Sequence, residues 1–264
     1  MYSLASRGLR LGSAQRKWGV LAGGLVLGPG LILLLELGAL LLFVLIGLAA
    51  LANRPELLAE LERLAQTWQA APPDPEEALQ VLEPYLINPF VIGAAFIFGA
   101  GIVPLIEEAL KPIGVWLLAG KRPLPATGFV AGALSGAGYA FFESLALTST
   151  GQDWVYLMVV RIGTAIIHIL TSALTGWALA LAWREKRYLR LAAAYLLAVV
   201  IHGLWNGQTL ANSLAALLAE QDALQAYPLI ARVGPYAPAG LAVLTVGGSV
   251  SYTHLRAHET KANL

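Results

Sequence analysis

The chain has no cysteine, which excludes disulfides, thiolate nucleophiles and thiolate metal sites. Charge is nearly as scarce. Only 12% of residues are Asp, Glu, Lys or Arg, 58% are apolar, and mean hydropathy is +0.68. Soluble domains are about a quarter charged and about half apolar, so the composition excludes a soluble domain and indicates a polytopic membrane protein. The net charge of +1 gives no global field, and no nucleic-acid partner is expected. No short apolar region with a small-residue cleavage site opens the chain, so no removable signal peptide is expected. There is no HExxH motif, no serine in a nucleophile-elbow or Ser-Lys setting, and no internal repeat between the halves.

What is there reads as an all-α polytopic transmembrane helix bundle of about six to eight spans. Residues 1–87 form an N-terminal transmembrane anchor and a polar, acidic helical loop. The basic start (Arg7, Arg10, Arg16, Lys17) precedes an apolar stretch to Ala52, interrupted by Gly28-Pro29-Gly30 and Glu36. One span over 31–52 is expected, with 18–30 interfacial. ELLAELERLAQTW has helical periodicity, and PPDP breaks it. Residues 88–212 form the membrane core. In it, 89–120 crosses once as a long or broken helix, punctuated by Pro104 and Pro112. In the next helix Gly128, Gly132, Gly136 and Ala140 recur every four residues, a spacing that lets a neighbouring helix approach closely. Residues 154–183 and 191–212 are further spans, separated by the basic loop 184–190. Residues 213–247 are a polar connection, over 213–236, and a last helix. After Val246 the sequence turns abruptly polar, and SYTHLRAHET resembles translated sequencing-adapter read-through. Residues 248–264 are therefore expected to be non-native, with the last helix cut short near Gly247, and His254 and His258 carry no functional weight. The positive-inside rule makes the N-terminus, Lys121-Arg122 and 184–190 cytoplasmic, and 53–87, 148–153 and 213–236 external.

The ionisable residues inside the apolar stretches fall into one layer. Counted from the nearest basic loop, Glu107 and Glu108 lie ~20 Å in, Glu143 and His168 ~24 Å, and His202 ~18 Å. Such groups in lipid face the bundle interior and pair. Lys111, one turn after Glu107 and Glu108, can neutralise one of them. Arg161, two turns before His168, can pair with Glu143. Ser172 and Asn206 each follow a histidine by four residues, giving each ring a hydrogen-bonding neighbour on its own face. Three glutamates and two histidines in a dry layer suit water chemistry. A carboxylate held there can act as general base, and histidines opposite can shuttle a proton, donate to an oxyanion or hold a divalent metal.

Four blocks carry a family resemblance: PLIEEALK, GYAFFES, RIGTAIIHILTS and HGLWN. Over about 100–210 the chain resembles the PrsW family of intramembrane proteases, distant relatives of the CAAX-processing proteases. The resemblance implies cleavage, in the bacterial cytoplasmic membrane, of a membrane-anchored protein such as an anti-sigma factor. It implies Glu107 or Glu108 as the base, Glu143, His168 and His202 completing the site, and Asn206 as an oxyanion or orienting donor. Lys111, Arg161 and Ser172 would be structural or orienting. Family members commonly have asparagine after the second-block glutamate, where this chain has Ser144, a shorter partner for orienting Glu143. One divalent metal, zinc, would have Glu143, His168 and His202 as ligands; a metal-free glutamate mechanism uses the same residues. Two other readings of the layer are a proton-coupled membrane transporter and a catalytically inactive protease-like scaffold.

Overall fold

The computed structural model describes residues 13–51, 54–145, 153–220, 222–236, 238–247 and 250. The expected external loop at 148–153 and the tail after 250 lie essentially outside these residues. Every regular element among the described residues is helical.

α1 (Ala14–Ala22) passes through a π-helical turn (Gly23–Leu27) into α2 (Gly28–Leu51) without a break. α3 (Pro55–Ala70) and α4 (Pro75–Leu86) follow, joined across the PPDP break by the Tyr85 hydroxyl, which donates to Glu60 Oε1 at 2.7 Å. α5 (Pro89–Phe96) enters a second π-helical segment (Ile97–Ile102) and continues as α6 (Val103–Leu110). Lys111 and Pro112 break the rod before the short α7 (Ile113–Trp116). α8 (Pro125–Leu145), α9 (Asp153–Glu185) and α10 (Tyr188–Glu220) are long. α11 (Pro228–Val233) and α12 (Pro238–Gly247) close the described chain.

Both π segments sit just before a proline, and for one reason. A proline in a helix has no N–H to donate, and its ring collides with the carbonyl four residues back. Widening the preceding turn relieves the collision. Gly28 N–H accordingly bonds Gly23 O, and Val103 N–H bonds Phe98 O, each five residues back. The apolar stretch is therefore not interrupted at Gly28-Pro29-Gly30.

The segment 18–30, expected to be interfacial, sets one face against the bundle. It packs on α8: Val20 is 2% exposed, and a Cβ on Gly24 would lie 2.1 Å from Ser135 O. Glycine is required there because backbone meets backbone. On its other side α8 meets α9 by the same means, and a Cβ on Gly132 would stand 2.1 Å from Ser172 O. The glycine spacing thus accompanies the most extensive helix contact among the described residues.

Among the described residues, four helices can cross a membrane by length and composition: Ala14–Ala49, Pro89–Trp116, Val160–Glu185 and Tyr188–Glu220. The bent pair Pro228–Tyr236 and Pro238–Gly247 makes a fifth if it counts as one span. The expected six to eight is not reached by this measure. One reason is α8, 21 residues long and enclosed between α1 and α9, which is rich in Gly, Ala and Ser rather than strongly apolar. The polar connection expected over 213–236 also differs. α10 runs on to Glu220, since Leu218 is fully buried against Ile92 and Ile230.

Candidate active site

α6 carries Glu107 and Glu108 and ends on Lys111; α8 carries Tyr139 and Glu143; α9 carries Arg161 and His168; α10 carries His202 and Asn206. The break at Pro112 is fastened to α8 by Ser135, whose Oγ donates to Lys111 O at 2.6 Å and accepts from Gly114 N–H at 3.2 Å. This anchors the point from which the lysine side chain turns back into the bundle.

Lys111 is the hub. Its fully buried Nζ lies 2.5 Å from Glu108 Oε1, 2.8 Å from His168 Nδ1, 3.3 Å from His202 Nδ1 and 3.6 Å from Glu107 Oε2. An ammonium only donates, so the nitrogen at 2.8 Å must accept. His168 therefore carries its proton on Nε2 and donates it to Glu143 Oε2, 2.8 Å away. Arg161 Nη2 holds the same carboxylate oxygen at 3.0 Å. Ser144 is not a direct partner of Glu143. Its Oγ donates to Ala140 O and accepts from Arg161 at 3.2 Å, so the departure from asparagine supports the arginine that orients Glu143.

The two adjacent glutamates differ. Glu108 is fully buried, and its Oε1 accepts from Lys111 and lies 2.9 Å from His202 Nδ1. That contact, shorter than the one from Lys111 to the same nitrogen, assigns the proton to Nδ1 and leaves Nε2 with a free lone pair. Glu107 keeps a little exposure, 7% of its side chain, and its Oε2 makes no hydrogen bond among the described residues. His202 Nε2 stands 3.9 Å from that oxygen.

Two predicted residues are placed elsewhere. Asn206 does not reach the carboxylates; its Nδ2 donates to Gly99 O at 3.0 Å. That carbonyl has no donor along its own helix, because Val103 N–H goes to Phe98 O and Pro104 has none. Asn206 thus caps the π segment that leads into Glu107. Ser172 Oγ is buried without a hydrogen bond, packed on Gly136, and does not orient His168.

Sequence reasoning passed over two residues here. Glu36, half-buried on α2, turns its carboxyl onto Glu107; a lone acid in a 24-residue apolar helix was the available signal. Tyr139 packs edge-on against His168, ring centroids 5.2 Å apart, with Lys111 Nζ 5.5 Å from its own ring. Its place four residues before Glu143, on one helical face, could have indicated it.

An all-α membrane bundle with a dry layer of carboxylates, imidazoles and fixed cations defines a membrane-embedded centre of ionisable groups. The family model described as PrsW family intramembrane metalloprotease matches residues 16–233, and the chain belongs to that family, an intramembrane protease. Comparison with curated proteins and with solved structures returned no match.

The family description implies a metal. Glu107, His168 and His202 offer donor atoms within 4.8 Å of one another, a set whose chemistry suits a divalent ion. Of the ligands expected from sequence, Glu143 is not in this set, because Arg161 and His168 Nε2 hold it aside. The space shared by Glu107, His168 and His202 is taken by Lys111 Nζ at 2.8–3.6 Å from them. Zinc would need ~2.0–2.2 Å. As arranged, these donors surround an ammonium and do not fit a metal.

Proposed function

We propose that the chain is an endopeptidase that hydrolyses a peptide bond of a membrane-anchored protein, an anti-sigma-factor-like regulator being the kind of substrate the family suggests, with Glu107 activating water. The observation that carries this is the contrast between the paired glutamates. Each glutamate has an Oε2 without a hydrogen bond among the described residues, but Glu108 is fully enclosed with its Oε1 spent on Lys111 and His202, whereas the Glu107 side chain keeps 7% exposure and its Oε2 faces His202 Nε2 at 3.9 Å.

Glu107 Oε2 and His202 Nε2, both acceptors and 3.9 Å apart, can each take a hydrogen bond from one water. A water held so turns its lone pairs outward, toward a scissile carbonyl. As its oxygen bonds the carbonyl carbon, one proton passes to Glu107. As the C–N bond breaks, that proton goes to the departing amine, and the carboxylate is regenerated. Glu108 holds the His202 ring through Nδ1–H, and Lys111 fixes Glu108 and His168. The layer has four carboxyls, counting Glu36, and two fixed cations. With Glu108 matched to Lys111 and Glu143 to Arg161, Glu36 and Glu107 are left facing each other. Two carboxyls in contact share a proton, and Glu36 is a proton-holding partner of the base.

The membrane is the cytoplasmic membrane of a bacterium, with the basic face, and hence the N-terminus, on the cytoplasmic side; the clustering of Arg16, Lys121, Arg122 and Arg184 at one end supports this. The test is reconstitution in proteoliposomes with a pool of single-span membrane peptides, new termini being read by mass spectrometry. Wild type should cleave, and Glu107→Gln and His202→Ala should not, while eluting and unfolding as wild type does. Cleavage by both variants overturns the assignment. Ion flux with a pH-sensitive dye and no cleavage would make the layer a proton pathway instead.

A further inference from the structure

A second polar feature lies apart from the Glu–His layer, at the basic end of the bundle. A cavity of about 350 Å³ is lined by Arg16, Lys121, Arg122 and Arg184, with Thr127 and flanking leucines. No Asp or Glu is among the described residues that line it. The four cations come from distant parts of the chain: the start of α1, the connection between α7 and α8, and the end of α9. Their meeting is built. Arg184 Nη1 donates to Arg122 O at 3.1 Å, and Arg122 turns the connection in a left-handed conformation, φ 42°.

The start of α8 opens at the same place, Thr127 lying in its first turn. First-turn N–H groups of a helix have no partners within it and present partial positive charge. Lys121, Arg122 and Arg184 alone bring three like charges to one cavity, and an anion seated there would lower their mutual repulsion. Leu118 and Leu124 supply the apolar lining; Leu124 is 50% exposed, and Leu117 and Trp116, just before Leu118 in the chain, are 56% and 43% exposed.

We propose that this cavity binds a phosphate group, that of an anionic phospholipid whose chains lie along Leu117, Leu124 and Trp116. The pocket is near the lower end of the ~300–1,000 Å³ typical of small-ligand sites, enough for a headgroup. The bound lipid would tie α1, α8 and α9 together at their basic ends.

The experiment is native mass spectrometry of the full chain released from nanodiscs containing phosphatidylcholine and phosphatidylglycerol in equal parts. Arg16→Gln/Lys121→Gln is compared with Arg187→Gln/Arg190→Gln, which removes the same charge from the neighbouring loop. Wild type and the loop variant should retain one phosphatidylglycerol in preference to phosphatidylcholine. The pocket variant should retain about 25-fold less, at about fivefold per cation near a membrane surface. Displacement of that lipid by millimolar inorganic phosphate would identify free phosphate as the source and leave the phosphate site standing. Equal retention by the two variants, or no preference for the anionic lipid, overturns the proposal.

Discussion

Replacing Lys111 by methionine tests the charge architecture of the centre most directly. The substitution keeps much of the side-chain length but removes the ammonium that lies within 3.6 Å of two carboxylates and two imidazoles. Glu108 would then be a fully buried carboxylate with no cation, and breaking a buried pair from one side costs about 3–5 kcal/mol. For a chain of this size that corresponds to a fall in Tm of roughly 6–20 °C. The assay is thermal unfolding in detergent, followed by the fluorescence of the seven tryptophans, with elemental analysis of the same samples. Wild type is expected to contain no stoichiometric zinc and to be insensitive to chelators. Lys111→Met is expected to unfold early and to recover when zinc is added, since Glu107, His168 and His202 are left around the emptied position. Zinc at 100 times its Kd would return about 2.7 kcal/mol. One zinc per wild-type chain, removed by a chelator with loss of Tm, would refute the reasoning, as would a Lys111→Met variant as stable as wild type.

Other expectations are shorter to state. Glu36→Gln should lower the cleavage rate at least tenfold with unfolding unchanged, measured on the same peptide pool; an unchanged rate would remove Glu36 from the proton path. Gly132→Ala should destabilise by at least 1–3 kcal/mol, the usual cost of overpacking, because the new methyl meets backbone that cannot move aside, and thermal unfolding reads this directly. Asn206→Leu should cost about 1–3 kcal/mol by leaving Gly99 O unpaired, with amide exchange rising in 99–104 if the π segment loosens. Ser144→Asn should leave both cleavage and Tm near wild type, since Arg161 and His168 already fix Glu143.

How far the site was legible depended on the kind of information each residue needed. Depth is one-dimensional and can be counted, so Glu107, Glu143, His168 and His202 fell into one layer before any packing was known. The pairing of Lys111 with Glu108 follows from one helical turn. Which acceptors surround the lysine does not, because it depends on how α9 and α10 rotate about their axes. The family resemblance implies a role in the chemistry for Asn206, and its place one turn after His202 gives that ring a hydrogen-bonding neighbour. Its real partner exists only because Pro104 forces a π segment, and the sequence showed that proline merely as punctuation. The packing of one face of 18–30 on α8 escaped for a related reason: Gly24 is valuable for the close approach it permits, and hydropathy has no measure of that.

The enclosed, small-residue character of α8 also bears on how the protein is made. A segment of glycines, alanines and serines ending in Glu143 has little of its own to gain from leaving the translocon for lipid. Its glycine faces become favourable surroundings only when α1 and α9 are there to fill them. α8 should therefore wait beside the exit until α9 has been synthesised, and the two should enter the bilayer as a hairpin. Assembly of the centre would begin with that hairpin, bringing Glu143 and His168 together before His202 has left the ribosome.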